Sequence, residues 1–318
     1  MYAIRDGEKG LLRIRHLDDS EWSTPAAGED IGPEGDGSNP AVTAGKTGLT
    51  IGYLSPLPSA DTKIRSYTTV GFNSAQTVAL ADNSFSFAAA ASDDDDRYIA
   101  MADANHHILI WKSEAGASVS TESNDVIAGP PTVAQRGWDI DIVGGELNLA
   151  YVDTADEIVV ARHDDTTGWD RVDSLLNITS VTRLGLASGG GKVFLKVQRE
   201  GTGGSEVEVY ELTDDDGLES VGSVFSDVSF LQYASLHVDG QGTPLVAWAY
   251  GQSGPSADRK LYFARYEDDS WALVGGGYIE FDNGDAQLVS SAVIDDVPHV
   301  QFQPWGTTQL KVLHHQQD

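Results

Sequence analysis

Short runs in which apolar and polar residues alternate recur along the whole chain. Residues 147–152 (LNLAYV), 192–197 (KVFLKV) and 310–313 (LKVL) are examples that are rich in β-branched and aromatic side chains. A period of two predicts strands, because successive side chains of a strand point to opposite faces. Glycine-containing segments at 144–146, 189–191 and 239–242 follow or precede such runs, and they predict tight turns. No long amphipathic helical pattern is present, and the small-residue run 88–92 is interpreted as an inner strand.

A larger unit of about fifty residues repeats above this alternation. Its clearest copy, residues 235–275, contains a strand, a turn, the strand PLVAWAY, a loop, the strand KLYFARY and an acidic hairpin that leads into a last strand. Equivalent positions in the third strand of each copy are Arg15, Arg65, Trp111, Arg162, Tyr210, Arg265 and Leu313, which lie 46 to 55 residues apart. This spacing is typical of the four-stranded blades of β-propellers.

The repeat predicts an all-β fold in which residues 1–318 form a single seven-bladed β-propeller domain of mostly four-stranded antiparallel blades. A lone blade leaves its apolar faces uncovered, whereas successive blades cover one another. The first unit lacks its innermost strand and the last lacks its outermost, and six blades plus an extension is the alternative. The predicted units are approximately 1–30, 39–80, 84–128, 136–177, 180–226, 230–276 and 286–318.

The net charge changes the picture of the surface. The chain has 49 Asp and Glu against 20 Lys and Arg, which gives a net charge of -29. Ordinary small domains carry a net charge of roughly 2–8, and such an excess of negative charge destabilises a compact state at low salt. At 1 M salt the screening length falls to about 3 Å. The composition is therefore typical of proteins from extreme halophiles, with an ordinary acidic surface as the alternative.

The charge, the lack of cysteine and the lack of long apolar runs exclude several kinds of partner and site. Binding of nucleic acid through a general basic field is excluded, because phosphate contacts need Lys and Arg, and adhesion to anionic membranes is excluded likewise. The chain has no cysteine, so it has no disulfide and no thiolate metal site. No apolar run reaches the length of a membrane span. The first residues lack the pattern of a signal peptide, so we expect no ordinary signal-dependent export.

The repeats resemble bacterial and archaeal β-propeller repeats of the form D-x-x-G-x-P-x-V-A-W followed by an R-φ-x-x-x-x-W strand and hairpin. The segment 14–22 (IRHLDDSEW) is also similar to strands of the fungal fucose-binding lectin propellers. The repeated Arg, Glu and Trp sugar ligands of those lectins do not recur here in register. The resemblance implies the propeller fold and leaves the function open, since one fold hosts many functions.

Two tryptophans stand outside the repeat and are candidate ligand-binding residues. Trp138 begins the first strand of the fourth unit, and Trp305 lies between the second and third strands of the last. Connections of these two kinds open on the same face of a propeller, which commonly carries binding. Packing is the alternative for both. The tryptophans that recur, Trp22, Trp169 and Trp271, are interpreted as packing residues.

His106 and His107, in a turn of the third unit, are further candidates for ligand binding. Adjacent residues of a strand point to opposite faces, so the two cannot simply chelate one ion. The run Asp93, Asp94, Asp95 and Asp96 is a weak candidate for Ca²⁺ or Mg²⁺, which prefer oxygen ligands. A solvated charge cluster is the alternative, and no cofactor is required by any motif.

No catalytic constellation is recognisable, because nucleophile elbow, P-loop and metalloprotease motifs are absent and 49 acids make any carboxylate pair uninformative. The leading hypothesis is therefore a non-enzymatic binding and assembly propeller on a salt-exposed surface. It would be a spike, turret or tail component on the virion surface of a halophilic virus, contacting other virion proteins and a host glycan or surface-layer protein. The alternatives are a sialidase-like glycoside hydrolase and a scaffold for protein–protein interaction in the cytoplasm of a haloarchaeon.

Overall fold

A computed structural model of the chain describes most of its strands and the turns of its middle part. The described residues are 2–5, 12–15, 17–18, 21–22, 41–44, 48–54, 62–68, 71–72, 76–78, 86–91, 96–102, 108–113, 120–123, 137–153, 155–164, 166–175, 178–213, 217–228, 234–250, 260–278, 286–294, 297–304 and 311–314. The chain divides into two compact units, residues 1–135 with 140–147 and residues 136–139 with 148–318.

The strands of the first part form four antiparallel sheets. Two are short, pairing β1 (Tyr2–Arg5) with β2 (Leu12–Arg15) and β3 (Leu17–Asp18) with β4 (Glu21–Trp22). The third contains β5 (Ala41–Ala44), β6 (Gly48–Leu54), β7 (Thr62–Thr68), β8 (Gly71–Phe72) and β9 (Gln76–Val78), and both short strands pair with β7. The fourth contains β10 (Ser86–Ala91), β11 (Arg97–Ala102), β12 (Ile108–Ser113) and β13 (Ser120–Ser123).

The remaining strands form three four-stranded sheets and one three-stranded sheet, each in sequence order. The first has β14 (Trp138–Val143), β15 (Glu146–Val152), β16 (Ile158–Asp164) and β17 (Gly168–Leu175). The second has β18 (Val181–Gly189), β19 (Lys192–Glu200), β20 (Ser205–Leu212) and β21 (Leu218–Val228). The third has β22 (Ala234–Val238), β23 (Pro244–Tyr250), β24 (Lys260–Glu267) and β25 (Ser270–Leu273), with a 3-10 turn at Val274–Gly276. The last has β26 (Ala286–Ile294), β27 (Val297–Pro304) and β28 (Lys311–His314).

This architecture confirms an all-β propeller of mostly four-stranded antiparallel blades. Within the described ranges, however, four blades are complete, not the seven that the repeat predicts. The remaining units of the repeat are each described only in part. Arg15 ends the two-stranded β1–β2 sheet, and Arg65 lies in β7, which carries two short strands on its outer side.

Alternation buries one or both faces of each blade. In β14 the residues Trp138, Ile140 and Ile142 are buried and the residues between them are half-buried. In the second unit of the chain, apolar residues of β18–β21 and β22–β25 pack into one cluster that includes Phe194 and Trp248. Burial of such side chains stabilises the fold by about 1.5–3 kcal/mol each.

The predicted glycine turns are present. Gly190 and Gly191 have φ of 56° and 78°, and they join the paired ends of β18 and β19. Gly144 and Gly145, with φ of 59° and 87°, do the same between β14 and β15. Two successive residues of positive φ make the turn type whose twist fits a hairpin, so the glycines set the register of these two blades.

Candidate functional site

Trp138, the predicted binding tryptophan in the described residues, is part of the core. Its side chain is only 5% exposed, so its ring packs inside the blade and does not present an open face to a sugar in this structure. Trp305, His106 and His107 lie outside the described residues. Their role in binding stays a prediction.

The acidic run at residues 93–96 is described only at its last member. Asp93, Asp94 and Asp95 lie outside the described residues, and Asp96 forms an ion pair of 2.9 Å with Lys112. No group of three His, Cys, Asp or Glu side chains among the described residues could hold a metal ion. The Ca²⁺ or Mg²⁺ site therefore stays a prediction.

One of the repeated arginines, Arg265, forms an ion pair inside its own blade. Arg265 in β24 donates to Asp239 at 2.9 Å, and the same carboxylate accepts from the backbone N–H groups of Gln241 at 3.0 Å and Thr243 at 2.8 Å. This ion pair therefore lies within one blade and does not join two neighbouring blades. Asp239 belongs to the same blade, where it closes the turn between β22 and β23 and brings the arginine's fork within reach.

A surface pair that the sequence did not reveal lies beside the blade β22–β25. Tyr278, which follows β25, is 42% exposed. The Nζ atom of Lys260, the first residue of β24, lies 3.6 Å from the centroid of the Tyr278 ring. Ammonium groups are attracted to the electron-rich face of an aromatic ring, by about 0.5–1 kcal/mol at exposed sites. The pair presents an aromatic surface and a positive charge together in a chain of net charge -29.

An aromatic row supports this pair from below. The Tyr278 ring meets Tyr262 edge-on at 6.3 Å, Tyr262 stacks on Trp248 at 5.3 Å, and Trp248 lies 4.7 Å from Phe225. Trp248 is 5% exposed, so the row extends from the core to the surface. Rings held in this way are rigid, and rigid aromatic residues are efficient binding groups because little conformational freedom is lost on contact.

The position of this pair agrees with the face that the sequence favoured for binding. Lys260 ends the connection between the second and third strands of its blade, and Tyr278 lies in the connection that leaves the fourth strand. Connections of these two kinds were predicted to carry binding. A sequence signal existed in the form of a tyrosine outside the repeat, but 11 tyrosines in the chain made it uninformative alone.

A second polar group lies inside the blades, around Lys196 in β19. Its side chain is 4% exposed, and its Nζ donates to the backbone carbonyl of Ala234 at the start of β22. Asp139 of β14 accepts from the Leu186 N–H at 2.9 Å in β18. In both contacts, a backbone group at the edge strand of one blade bonds to a side chain of the blade before it: the Ala234 carbonyl to Lys196, and the Leu186 N–H to Asp139. Exposed backbone groups of edge strands need such partners.

Glycine makes room for this lysine. Gly185 is paired directly with Lys196, and a methyl group on Gly185 would lie 3.0 Å from Cε and 3.2 Å from Nζ of the lysine and 3.8 Å from Oδ2 of Asp139. Burial lowers the pKa of Lys196 to about 8, and the Asp139 carboxylate opposes part of that shift. The amine can therefore gain or lose a proton near neutral pH, although its enclosure keeps it from direct contact with a solute.

No protein-family model and no curated protein sequence matches the chain. Solved structures match it in fold. A protein from Lactobacillus plantarum has 11% identity and a TM-score of 0.59, and the match covers 98% of this chain and 93% of that one. The SapL1 lectin in complex with alpha methyl fucoside has 13% identity and a TM-score of 0.53, with 87% and 95% covered.

A Trypanosoma rangeli sialidase in complex with sialic acid also matches, with 12% identity and a TM-score of 0.54 over 87% of this chain. This chain spans about half of that sialidase, since the match covers 53% of its length. At these identities the likenesses show the propeller fold alone.

The comparison corrects the prediction that the chain is not an enzyme. That prediction relied on the lack of a recognisable catalytic motif, yet the chain shares its fold with an enzyme, the sialidase. Propeller sites gather their groups from several blades, so the absence of a contiguous motif carries no weight against catalysis.

Proposed function

We propose that the protein is a carbohydrate-active propeller, with glycoside hydrolysis of the sialidase kind as its activity. The observation that carries the proposal is the pair of Tyr278 and Lys260, an exposed aromatic ring with an ammonium group over it. Sugars stack their apolar faces on such rings, and an ammonium group can donate to sugar oxygens or pair with a sugar carboxylate. Folds of the same kind hold sialic acid in the sialidase and alpha methyl fucoside in the SapL1 lectin.

The setting of this activity is also part of the proposal. The net charge of -29 favours a salt-rich medium, in which the repulsion between surface carboxylates is screened. A virion surface and host attachment, predicted from the sequence, gain no support from the fold likenesses and stay predictions. We retain seven blades as the proposed count.

Binding to a glycan array and turnover of fluorogenic sialosides, fucosides and arabinosides, measured in about 1 M salt where charge repulsion is screened, test the proposal. We expect Tyr278→Ala to weaken glycan binding about tenfold or more, because truncating an aromatic residue at the centre of a binding site costs about 2 kcal/mol or more and 1.4 kcal/mol is about tenfold. Tyr278→Phe should bind as the parent does, since it keeps the ring.

The matched control is Lys192→Met. Lys192 is a surface lysine of the blade β18–β21, where it pairs with Glu211 of the same blade at 2.9 Å. Loss of binding in Lys260→Met but not in Lys192→Met would support the site. Neither binding nor turnover across the panel would overturn the proposed function.

A further inference from the structure

Arg97, the first residue of β11, is enclosed without an acceptor. Its side chain is 0% exposed, and its Nε, Nη1 and Nη2 atoms have no hydrogen-bond partner among the described residues. An arginine has five N–H donors and stays charged in proteins. An unpaired buried charge is strongly unfavourable, so the protein needs a partner for it.

The sheet around Arg97 does not supply that partner. Arg97 is paired with Ala91 on one neighbouring strand and with Ser113 on the other, and neither residue carries a charge. The adjacent acid, Asp96, is engaged by Lys112 at 2.9 Å. Lys112 is paired with Tyr98, so this ion pair belongs to the opposite face of the sheet from Arg97.

A second unpaired donor lies on the same face. Trp111 is paired with Ile99, two residues along β11 from Arg97, so it is the diagonal neighbour of Arg97 across β11 and β12. Such diagonal neighbours have Cα atoms about 7–8 Å apart, within reach of long side chains. Trp111 is 4% exposed, and its Nε1–H has no acceptor among the described residues. An indole N–H can only donate.

Buried apolar side chains surround these two donors. Ile99 and Met101 of β11 pack with Trp111 and with Ile64 of β7 in one cluster. Among the described side chains, this face therefore combines two buried groups that only donate with apolar residues. None of these side chains is a negatively charged acceptor.

We propose that Arg97 and Trp111 bind a small monovalent anion of the halide class, with chloride as the ion abundant in a salt-rich medium. The anion would accept from the guanidinium and the indole and would neutralise the buried charge. Full enclosure of Arg97 favours a monatomic ion over a sugar acid. The overall charge of -29 opposes anion accumulation, so binding here would rest on these local donors.

Thermal unfolding in sodium chloride against sodium gluconate, at equal sodium concentration, tests the proposal in the full chain. Chloride should raise the melting temperature of the parent by about 5 °C or more relative to gluconate, the shift expected when a ligand is far above its dissociation constant. Arg97→Met should remove that difference. The matched control is Arg171→Met, since Arg171 is half-exposed and pairs with Glu157 at 2.7 Å; it should keep the difference.

Equal responses of the parent and Arg97→Met to chloride would overturn the proposal. If Arg97→Met fails to fold, Trp111→Phe gives a second route, because it keeps an aromatic ring and removes the N–H. We expect the chloride concentration at half-maximal stabilisation to rise several-fold in Trp111→Phe. An unchanged half-maximal concentration would count against the indole as a ligand and overturn the site as proposed.

Discussion

Two buried cations, Lys196 and Arg97, occupy the second strands of two four-stranded blades and are treated in opposite ways. Lys196 is 4% exposed, donates to the Ala234 carbonyl and has the Asp139 carboxylate nearby. Arg97 is 0% exposed and has no acceptor in the described part of the chain. A buried cation can thus be stabilised by backbone and side-chain acceptors of neighbouring blades, as Lys196 is, or by an anion bound from solvent, as we propose for Arg97.

Strand position explains the difference. Lys196 lies in the middle of β19 opposite Gly185, whose missing side chain leaves a passage toward Ala234 and Asp139. Arg97 is the first residue of β11, and the residues paired with it are small and uncharged. The comparison predicts that Lys196 depends on the packing of its neighbouring blades and that Arg97 depends on the medium.

The largest expected effect comes from breaking the packing between the β18–β19 turn and the β22–β23 turn of the next blade. A methyl group on Gly190 would lie 2.4 Å from the Gly242 backbone nitrogen in the next blade's turn. Gly190→Ala should lower the free energy of unfolding by roughly 2–5 kcal/mol, because overpacking adds to the strain of positive φ. Urea denaturation measures the loss.

Gly191→Ala is the matched control for that change. Gly191 also has positive φ, 78°, but nothing lies within 4 Å of the position of an added methyl group. It should cost only the backbone strain, about 1–2 kcal/mol. Equal losses in the two variants would show that the turns of these blades do not pack as described.

The second-largest effect is expected at Arg97, where the stability difference between Arg97→Met and the parent should reverse sign between gluconate and chloride. Replacing a buried ion pair by apolar residues of similar volume is often neutral or stabilising by about 1–4 kcal/mol, and a buried charge that lacks its partner is less favourable still. Arg97→Met should therefore be more stable than the parent in gluconate, and less stable in concentrated chloride, where the parent gains its anion. Denaturation curves in the two salts, with Arg171→Met beside them, reveal whether the order of stability reverses.

The pH dependence at Lys196 is the third effect. The pKa of this amine falls from 10.5 to about 8 on folding. Between those values the unfolded chain binds more protons at this position, so raising the pH through the window increases the free energy of unfolding. The stability that deprotonation of Lys196 contributes is fully present above pH 10.5 and is lost as the pH falls through about 8. Within this window the free energy of unfolding changes by up to about 1.4 kcal/mol per pH unit.

Lys196→Met should abolish that slope, and Lys192→Met should keep it. The measurement is urea denaturation at several pH values between 8 and 10.5, and the slope of Lys196→Met is subtracted from that of the parent because the two share the other titrating groups. If the free energy of unfolding depended on pH with the same slope in the parent and in Lys196→Met, the lowered pKa of Lys196 would be contradicted.

The smallest effect concerns a charge that is not buried. Hydrogen bonds from Thr166, foremost from its side chain, lower the pKa of the exposed Asp164 carboxyl to about 2. Thr166→Ala should return this pKa toward its ordinary value of 3.8. Carbon NMR titration of Asp164 follows the shift, and an unchanged pKa would assign the effect to the backbone N–H groups alone.

The strands, the glycine turns and the blade repeat were predictable from the sequence because each leaves a local pattern. Alternation marks strands such as β14 and β19, and the pairs at 144–145 and 190–191 mark turns. The number of complete blades was not predictable, because strand pairing outside the third strands has no comparable signal. Lys196 within an apolar run was visible in the sequence, but its acceptor Ala234 and the nearby carboxylate of Asp139 belong to two other blades.

The candidate sites were harder to predict for the same reason. Trp138 was chosen because it stands outside the repeat, yet it is buried itself and shares its face of β14 with the buried Ile140 and Ile142. Tyr278 and Lys260 are 18 residues apart in sequence, and only the folded blade brings the ammonium over the ring. Arg97 could not be identified from the sequence, because its distinguishing feature is that the described residues around it offer no acceptor.

Anomalous diffraction from crystals grown in sodium bromide tests most directly whether Arg97 is stabilised by a bound anion and Lys196 by protein acceptors. The account predicts a bromide peak within hydrogen-bonding distance of the Arg97 guanidinium and the Trp111 indole, and no peak beside Lys196, whose acceptors are protein groups. A carboxylate of the chain in contact with Arg97, with no bromide there, would contradict it.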